Sequence, residues 1–468
     1  MNRRKFIGQA GCAAIGSTTL FSTLANLFMT NTLAAERHRF SNDYKALVCF
    51  MLSGGNDSYN MLVPRSNTAY GEYSETRSDL ALSQSSLLPL NPITSGSADF
   101  GIHPSMGDLQ AMFNQDQDLA FVANVGTLRE PILNATQYNS GQKDLPLGLY
   151  SHSDQVLQWQ TSVPQSRDAI GWGGKVADIL QSMNSYQGIS MNISLAGRNT
   201  FQSGNTVLEY AIKNSGTGAE GISPIRYYDN EGFLNLIRNA AITDFMSQQY
   251  SNVFQKTFAQ QTASAIEAQE IFSAAIATVP EFSSQFSNHY LSRNMEMIAK
   301  VIAARGQLGM TRQTFFVDLG GWDMHNEVLN SQEYLFGVVN NAMSEFNTVL
   351  NELGVQNDVT TFTVSEFGRT LTSNGNGSDH AWGGHQMVMG GAVNGKEIYG
   401  DYPSLQLANN PLNLSNRGVL IPQISTDEYF AELALWFGLS PSDLAVVFPN
   451  IGEFYDTNSP NYPIGFLQ

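Results

Sequence analysis

The sequence predicts an α/β protein: a mostly parallel sheet with helices on both faces. Three observations predict it. Four short, continuously apolar runs have the pattern of strands buried on both sides. The stretches between them carry apolar stripes at helical spacing. Three of the four runs end in a carboxylate, and in open α/β sheets ligands sit just beyond the carboxyl ends of strands.

The elements follow in chain order. Residues 1–35 read as an address rather than as structure. Asn2-Arg3-Arg4-Lys5-Phe6 places paired arginines before a mild Ala/Gly/Ser/Thr-rich stretch that ends in small residues, Thr32-Leu33-Ala34-Ala35. That is the layout of a bacterial signal for twin-arginine export, with a periplasmic or secreted destination. An amphipathic helix would need acidic residues on its outer face, and this segment has none. Cys12 sits too close to the start to be a lipoprotein cysteine. Cys49, alone after cleavage, has no internal disulfide partner and lies in an apolar run, the setting of a buried, inert thiol.

From residue 36 onward a single domain is expected, with helical and loop insertions at about 186–305. Ala46–Leu52 and Leu119–Val125 read as the first two strands. Phe315–Val317 and Thr360–Val364 read as the third and fourth. Leu335, Val339, Ala342, Phe346 and Val349 form one helical stripe between the last two. The proline-free stretch from about Glu231 to Ala277, with Phe254 and Phe258 four apart, reads as two or three helices on the sheet or forming a cap. Thr426–Phe437 reads as a helix capped by Thr426.

Composition narrows the function. The 468 residues are 42% hydrophobic and 11% aromatic, enough for a sizeable core, which excludes a disordered chain. Acids outnumber bases 41 to 24, for a net charge of −17, so the basic footprint of a nucleic-acid binder is missing. No strongly apolar run reaches the length of a membrane span, so no integral membrane segment is expected after cleavage. The absence of a dinucleotide fingerprint and of a haem-binding Cys pair argues against a redox role.

The chemistry gathers at strand ends. The first run leads to Ser53-Gly54-Gly55-Asn56-Asp57-Ser58, the third to Gly320-Gly321-Trp322-Asp323-Met324-His325, and the fourth to Ser365-Glu366-Phe367-Gly368-Arg369. Ser378-Asp379-His380-Ala381-Trp382-Gly383-Gly384-His385 follows. Singly these have ordinary uses: Asp57 or Asp323 as a helix cap, Glu366 with Arg369 as an ion pair, the glycines in tight turns. Repeated at strand ends, carboxylates beside imidazoles suit Zn²⁺, Mn²⁺ or Fe²⁺. Two such clusters also suit a pair of ions about 3.5–4 Å apart.

These motifs resemble a bacterial family of unknown function, numbered 1501. The resemblance runs through Gly54-Gly55-Asn56-Asp57-Ser58 to Pro64, Gly101-Ile102-His103-Pro104, Gly320 to His325, Ser365 to Thr370, Ser378 to Gly391 and Val446-Val447-Phe448-Pro449. That family is similar to the alkaline phosphatase and sulfatase superfamily, which implies a three-layer α/β/α sandwich, alkaline-phosphatase-like, with metal at the strand ends. The resemblance implies one or two divalent ions (Zn, Mn, Fe, Mg or Ca). Asp57, Asp379 and His380 would hold one, and Asp323, His325 and His385 the other. Asp323 and His325 are two apart where the superfamily often has four. Glu366 stands where its Asp-His pair usually follows the strand, so Glu366 is a further ligand candidate.

For the nucleophile, Ser58 and Ser151 are the candidates. Tyr150-Ser151-His152-Ser153-Asp154 opens a helix and resembles the family's Ser-His-aromatic-acid motif; Ser151 could equally be a helix cap, and His152 a ligand, an acid/base or a surface residue. Cys49-Phe50-Met51-Leu52 lacks the Cys-x-Pro/Ala-Ser-Arg context of formylglycine sulfatases. Arg369 is the best local cation for gripping a phosphate or sulfate oxygen bidentately. Two functions compete: an exported metal-dependent hydrolase of phosphate or sulfate esters, small or polysaccharide, and a non-catalytic exported binding protein for surface polysaccharide or envelope assembly. The acidic net charge opposes an anionic substrate only within a screening length of about 8 Å, where bound dications would dominate.

Overall fold

The computed structural model describes residues 43–94, 99–167, 169–214, 219–221 and 233–468; the expected export signal and Cys12 lie outside them. The chain divides into two compact units. Tyr44–Ala219 with Ile276–Gln468 contains the large sheet and the site described below. Of the described residues, Asp43 and residues 220–221 and 233–275 belong to the other.

Strands of the large sheet include β1 (Lys45–Ser53), β2 (Leu119–Gly126), β3 (Asn192–Ser194), β4 (Tyr210–Asn214), β5 (Arg312–Gly320), β6 (Val359–Val364), β7 (Gly384–Met389), β8 (Ile398–Tyr399) and β9 (Ile424–Ser425). Their spatial order is β8–β2–β7–β6–β1–β5–β3–β4, with β9 also paired to β2. β1 is parallel to both neighbours, Cys49 lying opposite Phe362 of β6 and Phe316 of β5. β3 and β4 extend the parallel run. β7 is antiparallel to both β6 and β2. The carboxyl ends of β5, β1 and β6 therefore lie side by side, and β7 begins at the same edge.

The helices of the sheet-bearing unit include α1 (Asn67–Arg77), α2 (His152–Thr161) and α3 (Trp172–Leu180). The other unit carries α4 (Phe233–Ser247) and most of α5 (Val253–Ala277). Then follow α6 (Tyr290–Ala303), α7 (Val328–Glu352) and α8 (Thr426–Phe437). Leu47, Cys49 and Met51 of β1 face a cluster built by Trp159 of α2, Trp172 and Val176 of α3, and Tyr429, Phe430 and Leu433 of α8. Trp172 stacks on Phe430 with centroids 4.9 Å apart. The alternate residues Ala46, Val48, Phe50 and Leu52 are equally buried and point to the opposite layer. There α6 packs on β5 and α7 packs along α6. All five residues of the expected α7 stripe are buried.

Several details differ from expectation. β5 runs nine residues because its polar start is satisfied inside the sheet: Gln313 accepts from the Tyr44 hydroxyl at 2.7 Å, and Thr314 donates to Asn192 at 2.7 Å. The cap of α8 is Ser425, not Thr426. Its hydroxyl accepts from the Glu428 N–H while the Glu428 carboxylate accepts from the Ser425 N–H, a reciprocal capping box. Phe258 meets the Phe245 ring edge-on at 5.8 Å, and Phe254 is exposed. Cys49 is a free, buried thiol whose pKa is pushed up by burial.

Asp427, in the first turn of α8, is fully buried, and its Oδ1 accepts from the Ser162 hydroxyl at 2.6 Å. Burial pushes its carboxyl up to about 7, outweighing the Ser162 bond. The unfolded value lies near 4, so between about 4 and about 7 the folded state holds the extra proton. The stability that Asp427 contributes therefore falls as pH rises through that window and levels off above it. Asp427→Asn, uncharged throughout, should gain on the parent in thermal midpoint as pH is raised from about 4 to about 8. A difference between the two proteins that stays constant over that range would contradict the account.

Candidate metal centre

The site grows from the adjacent ends of β5, β1 and β6. The β1 end turns at Gly54, whose φ is +125°. A Cβ there would lie 2.3 Å from the Asp323 N, so only glycine lets the β1 and β5 loops approach. Beyond β6, residues 368–370 pair with 379–382 as a short hairpin: Gly368 N–H donates to the Trp382 carbonyl at 2.9 Å, and Thr370 N–H to the Asp379 carbonyl at 2.9 Å. This hairpin brings Asp379 and His380 over the strand ends. His152 arrives from another direction, as the first residue of α2.

Four side chains converge. His380 Nε2 lies 3.1 Å from His152 Nε2 and 3.1 Å from His325 Nε2. Asp323 Oδ1 lies 3.1 Å from His325 Nε2, 3.5 Å from His380 Nε2 and 3.6 Å from His152 Nε2. His152, Asp323 and His380 thus form one triangle of ligand atoms, and His325 forms a second on the same Asp323–His380 edge. For ligand atoms about 2.0–2.1 Å from a tetrahedral ion, the separations would be about 3.3–3.4 Å. The spacings within the His152–Asp323–His380 triangle, 3.1, 3.5 and 3.6 Å, bracket that value.

The outer nitrogens explain which way the lone pairs point. His152 Nδ1 donates to Glu366 Oε1 at 2.9 Å, His325 Nδ1 to Asp379 Oδ1 at 3.0 Å, and His380 Nδ1 to the Tyr150 carbonyl at 2.8 Å. A carbonyl or ionised carboxylate can only accept, so each ring carries its proton on Nδ1 and presents an Nε2 lone pair inward. The His380 lone pair, 3.1 Å from each of the other two, is repelled by both unless a cation lies among them or one ring becomes an imidazolium. Metal-ligating histidines have this arrangement, with the far nitrogen tied to a carboxylate or carbonyl.

The supporting groups are themselves held. Glu366 Oε1 also accepts from the Gly54 N–H at 2.8 Å. Asp379 pairs with Arg417 and accepts from Asn374 at 3.1 Å. Burial raises the Asp379 carboxyl, but Asn374, Arg417 and His325 outweigh it and hold it below the usual range. Asp323 behaves alike: burial raises it, while the bond and charge of Arg369, with His152 and His325, bring it below. Burial lowers His380, the Tyr150 carbonyl opposing. Tyr150 is in the left-handed region at φ 71°, a conformation disfavoured for a residue with a Cβ. Asp323 and His325 are 47% and 42% exposed, so the centre opens to solvent.

The structure brings Asp323, His325 and His380 together with His152, and sets Glu366 and Asp379 behind them. Asp57 and His385 lie elsewhere. Asp57 Oδ2 is bonded to Arg77 at 2.7 Å and to Ser378 Oγ at 2.8 Å. His385 is buried between Tyr402, stacked at 4.7 Å, and Tyr59, edge-on at 4.9 Å. Its Nδ1 accepts from the Asn124 N–H at 3.1 Å, and burial lowers its pKa to about 3. Ser58 is buried with its Oγ accepting from the His385 N–H at 2.8 Å. Ser151 caps α2, accepting from the Asp154 N–H.

Arg369 makes no ion pair with Glu366 and has no exposed guanidinium to offer an anion. Nε donates to the Gly55 carbonyl at 2.8 Å and Nη1 to the Ser378 carbonyl at 3.0 Å. Nη2 serves the Gly54 and Trp322 carbonyls and Asp323 Oδ1, the last at 2.5 Å. One buried cation thus clamps the β1 loop, the β5 loop and the hairpin. Sequence reasoning missed Arg77, Arg417 and the Tyr150 carbonyl. The two arginines lie outside the strand-end motifs, and a main-chain acceptor leaves no mark in the sequence.

The family described as "Protein of unknown function (DUF1501)" matches residues 44–419, and the chain belongs to that family. No curated protein matches the chain. Among solved structures it is similar to the PsFucS1 sulfatase from Pseudoalteromonas sp., at 9% identity over 87% of this chain and 70% of that one, with a TM-score of 0.33. It is also similar to the C-terminal periplasmic domain of EcEptC from Escherichia coli in complex with Zn, at 11% identity over 90% and 92%, with a TM-score of 0.35. A third is the soluble domain of lipooligosaccharide phosphoethanolamine transferase A from Neisseria meningitidis, at 11% identity over 86% and 90%, with a TM-score of 0.32.

Arg369 acts through the loops it clamps. Arg369→Met should lower unfolding free energy by about 1–3 kcal/mol, the cost of leaving buried carbonyls without a donor, since Asp323 is 47% exposed and can turn to water. Urea denaturation followed by tryptophan fluorescence measures it. A loss below about 1 kcal/mol would show that the clamp is dispensable.

Proposed function

We propose that this chain is an exported, metal-dependent hydrolase of phosphate or sulfate esters. His152, Asp323, His325 and His380 would hold one divalent ion. The observation that carries this is the set of three inward lone pairs, each fixed by an outer acceptor on Nδ1. Three imidazoles and one carboxylate favour Zn²⁺, with Mn²⁺ and Fe²⁺ next; Mg²⁺ and Ca²⁺ prefer all-oxygen sites. Bound there, the ion would polarise an ester oxygen and activate the attacking oxygen at neutral pH.

The protein's own part is positional. Glu366, Asp379 and the Tyr150 carbonyl keep each Nε2 deprotonated and aimed. Arg369 holds Asp323 without competing for the open side, where an ester would approach. Neither Ser58 nor Ser151 bonds any of the four converging side chains, so the reading takes water as the nucleophile. The Arg3-Arg4 pair and the small-residue end of the leader support export through the twin-arginine machinery to the periplasm or beyond. Among the described residues no helix is long and apolar enough to cross a membrane.

Protein purified without chelators should carry metal and turn over at least one substrate in a panel of phosphate and sulfate esters. His380→Ala should lose both while keeping its circular dichroism. Glu366→Gln should bind metal about 10–100-fold more weakly, as expected for a supporting group rather than a ligand. Metal-replete protein silent on every ester would favour the binding-protein alternative. Metal-free protein would remove both the ion and the hydrolase.

A further inference from the structure

The superfamily resemblance implies one or two ions, and a two-ion arrangement would put Asp57 and His385 on opposite halves of the pair. Each is engaged elsewhere, Asp57 Oδ2 by Arg77 and Ser378 and His385 Nδ1 by the Asn124 N–H. The geometry points to Arg77 as a built-in cation in place of a second ion: the centre holds one metal ion, and the Asp57–Arg77 pair positions the hairpin carrying Asp379 and His380. This rests on the reading that His152, Asp323, His325 and His380 bind metal.

Arg77 ends α1 and is fully buried. Its Nη2 donates to Asp57 Oδ2 at 2.7 Å, and its Nη1 to the Thr370 and Leu371 carbonyls at 3.2 and 3.3 Å. Asp57 Oδ2 also accepts from Ser378 Oγ at 2.8 Å. Thr370 and Ser378 belong to the two arms of the hairpin, so the ion pair grips both arms beside His380. Asp57 Oδ1 has no bonded partner, but the Asp57–Arg77 pair is buried from bulk solvent, unlike the Arg369–Asp323 pair with its half-exposed carboxylate, so a second cation at Asp57 would meet the Arg77 charge almost unscreened. His385 cannot compensate. Its Nδ1 lone pair is taken by the Asn124 N–H, so Nε2 carries the proton and the ring keeps no lone pair for a metal. Tyr59 and Tyr402 hold the ring in that orientation.

The test is zinc stoichiometry and affinity on the full chain, by native mass spectrometry and competition with a fluorescent chelator. Wild type and Asp57→Asn should each saturate at about one Zn²⁺ per chain. Asp57→Asn and Arg77→Met should bind it about ten-fold more weakly, and Arg77→Lys should recover most of that loss. If Arg77→Met does not fold, the Asp57→Asn result stands by itself. Two ions in wild type falling to one in Asp57→Asn would overturn the proposal, returning Asp57 to the ligands. Lower thermal midpoints with unchanged zinc affinity would overturn the positioning role. No zinc in wild type, or binding indifferent to His380→Ala, would sink the metal reading itself and this proposal with it.

Discussion

The arrangement depends on where three protons sit. Glu366, Asp379 and the Tyr150 carbonyl each hold an imidazole by Nδ1, and every inward nitrogen is thereby left as a bare acceptor. The His380 acceptor lies 3.1 Å from each of the other two, and the Asp323 oxygen 3.1–3.6 Å from all three, a crowding of like partial charges that a cation among them would relieve. The outer partners come from three parts of the chain: the end of β6, the hairpin and the residues just before α2. The fold must bring all three to one edge before the donor set exists.

Parallel pairing brings them there. With β5, β1 and β6 running together, their loops emerge side by side. The close approach of those loops needs Gly54 and the buried guanidinium of Arg369, which collects carbonyls from two loops and the hairpin. Exchanging such a cation together with all its polar partners for apolar groups costs little stability, but its five donors fix geometry in a way apolar side chains cannot. Below this layer the sheet needs only to be dry, and β1, buried on both faces, meets that requirement.

Much of this was legible in the sequence. The apolar runs, the α7 stripe and the carboxylates at strand ends are local patterns, and Asp323, His325, His380, Glu366 and Asp379 were all picked out by them. Their division into ligands and supports was not legible. It depends on which ring nitrogen faces which partner, and those partners lie between 54 and 230 residues away. Asp57 shows the limit: after a Gly-Gly turn at a strand end it reads like a ligand, yet Arg77, twenty residues on, takes its charge. His385 reads as part of a histidine motif, but it opens β7 and its side chain enters the aromatic layer. The Ser425 cap, one residue before the expected Thr426, was settled by which hydroxyl could exchange bonds with Glu428.

The most direct measurement is X-ray absorption at the metal edge of the natively purified protein. A single shell of about four nitrogen and oxygen atoms near 2.0–2.1 Å, with the outer scattering of about three imidazole rings, is the predicted result. A six-oxygen shell, a sulfur shell, or no metal edge at all would contradict the claim that the inward nitrogens of His152, His325 and His380 exist to grip a cation.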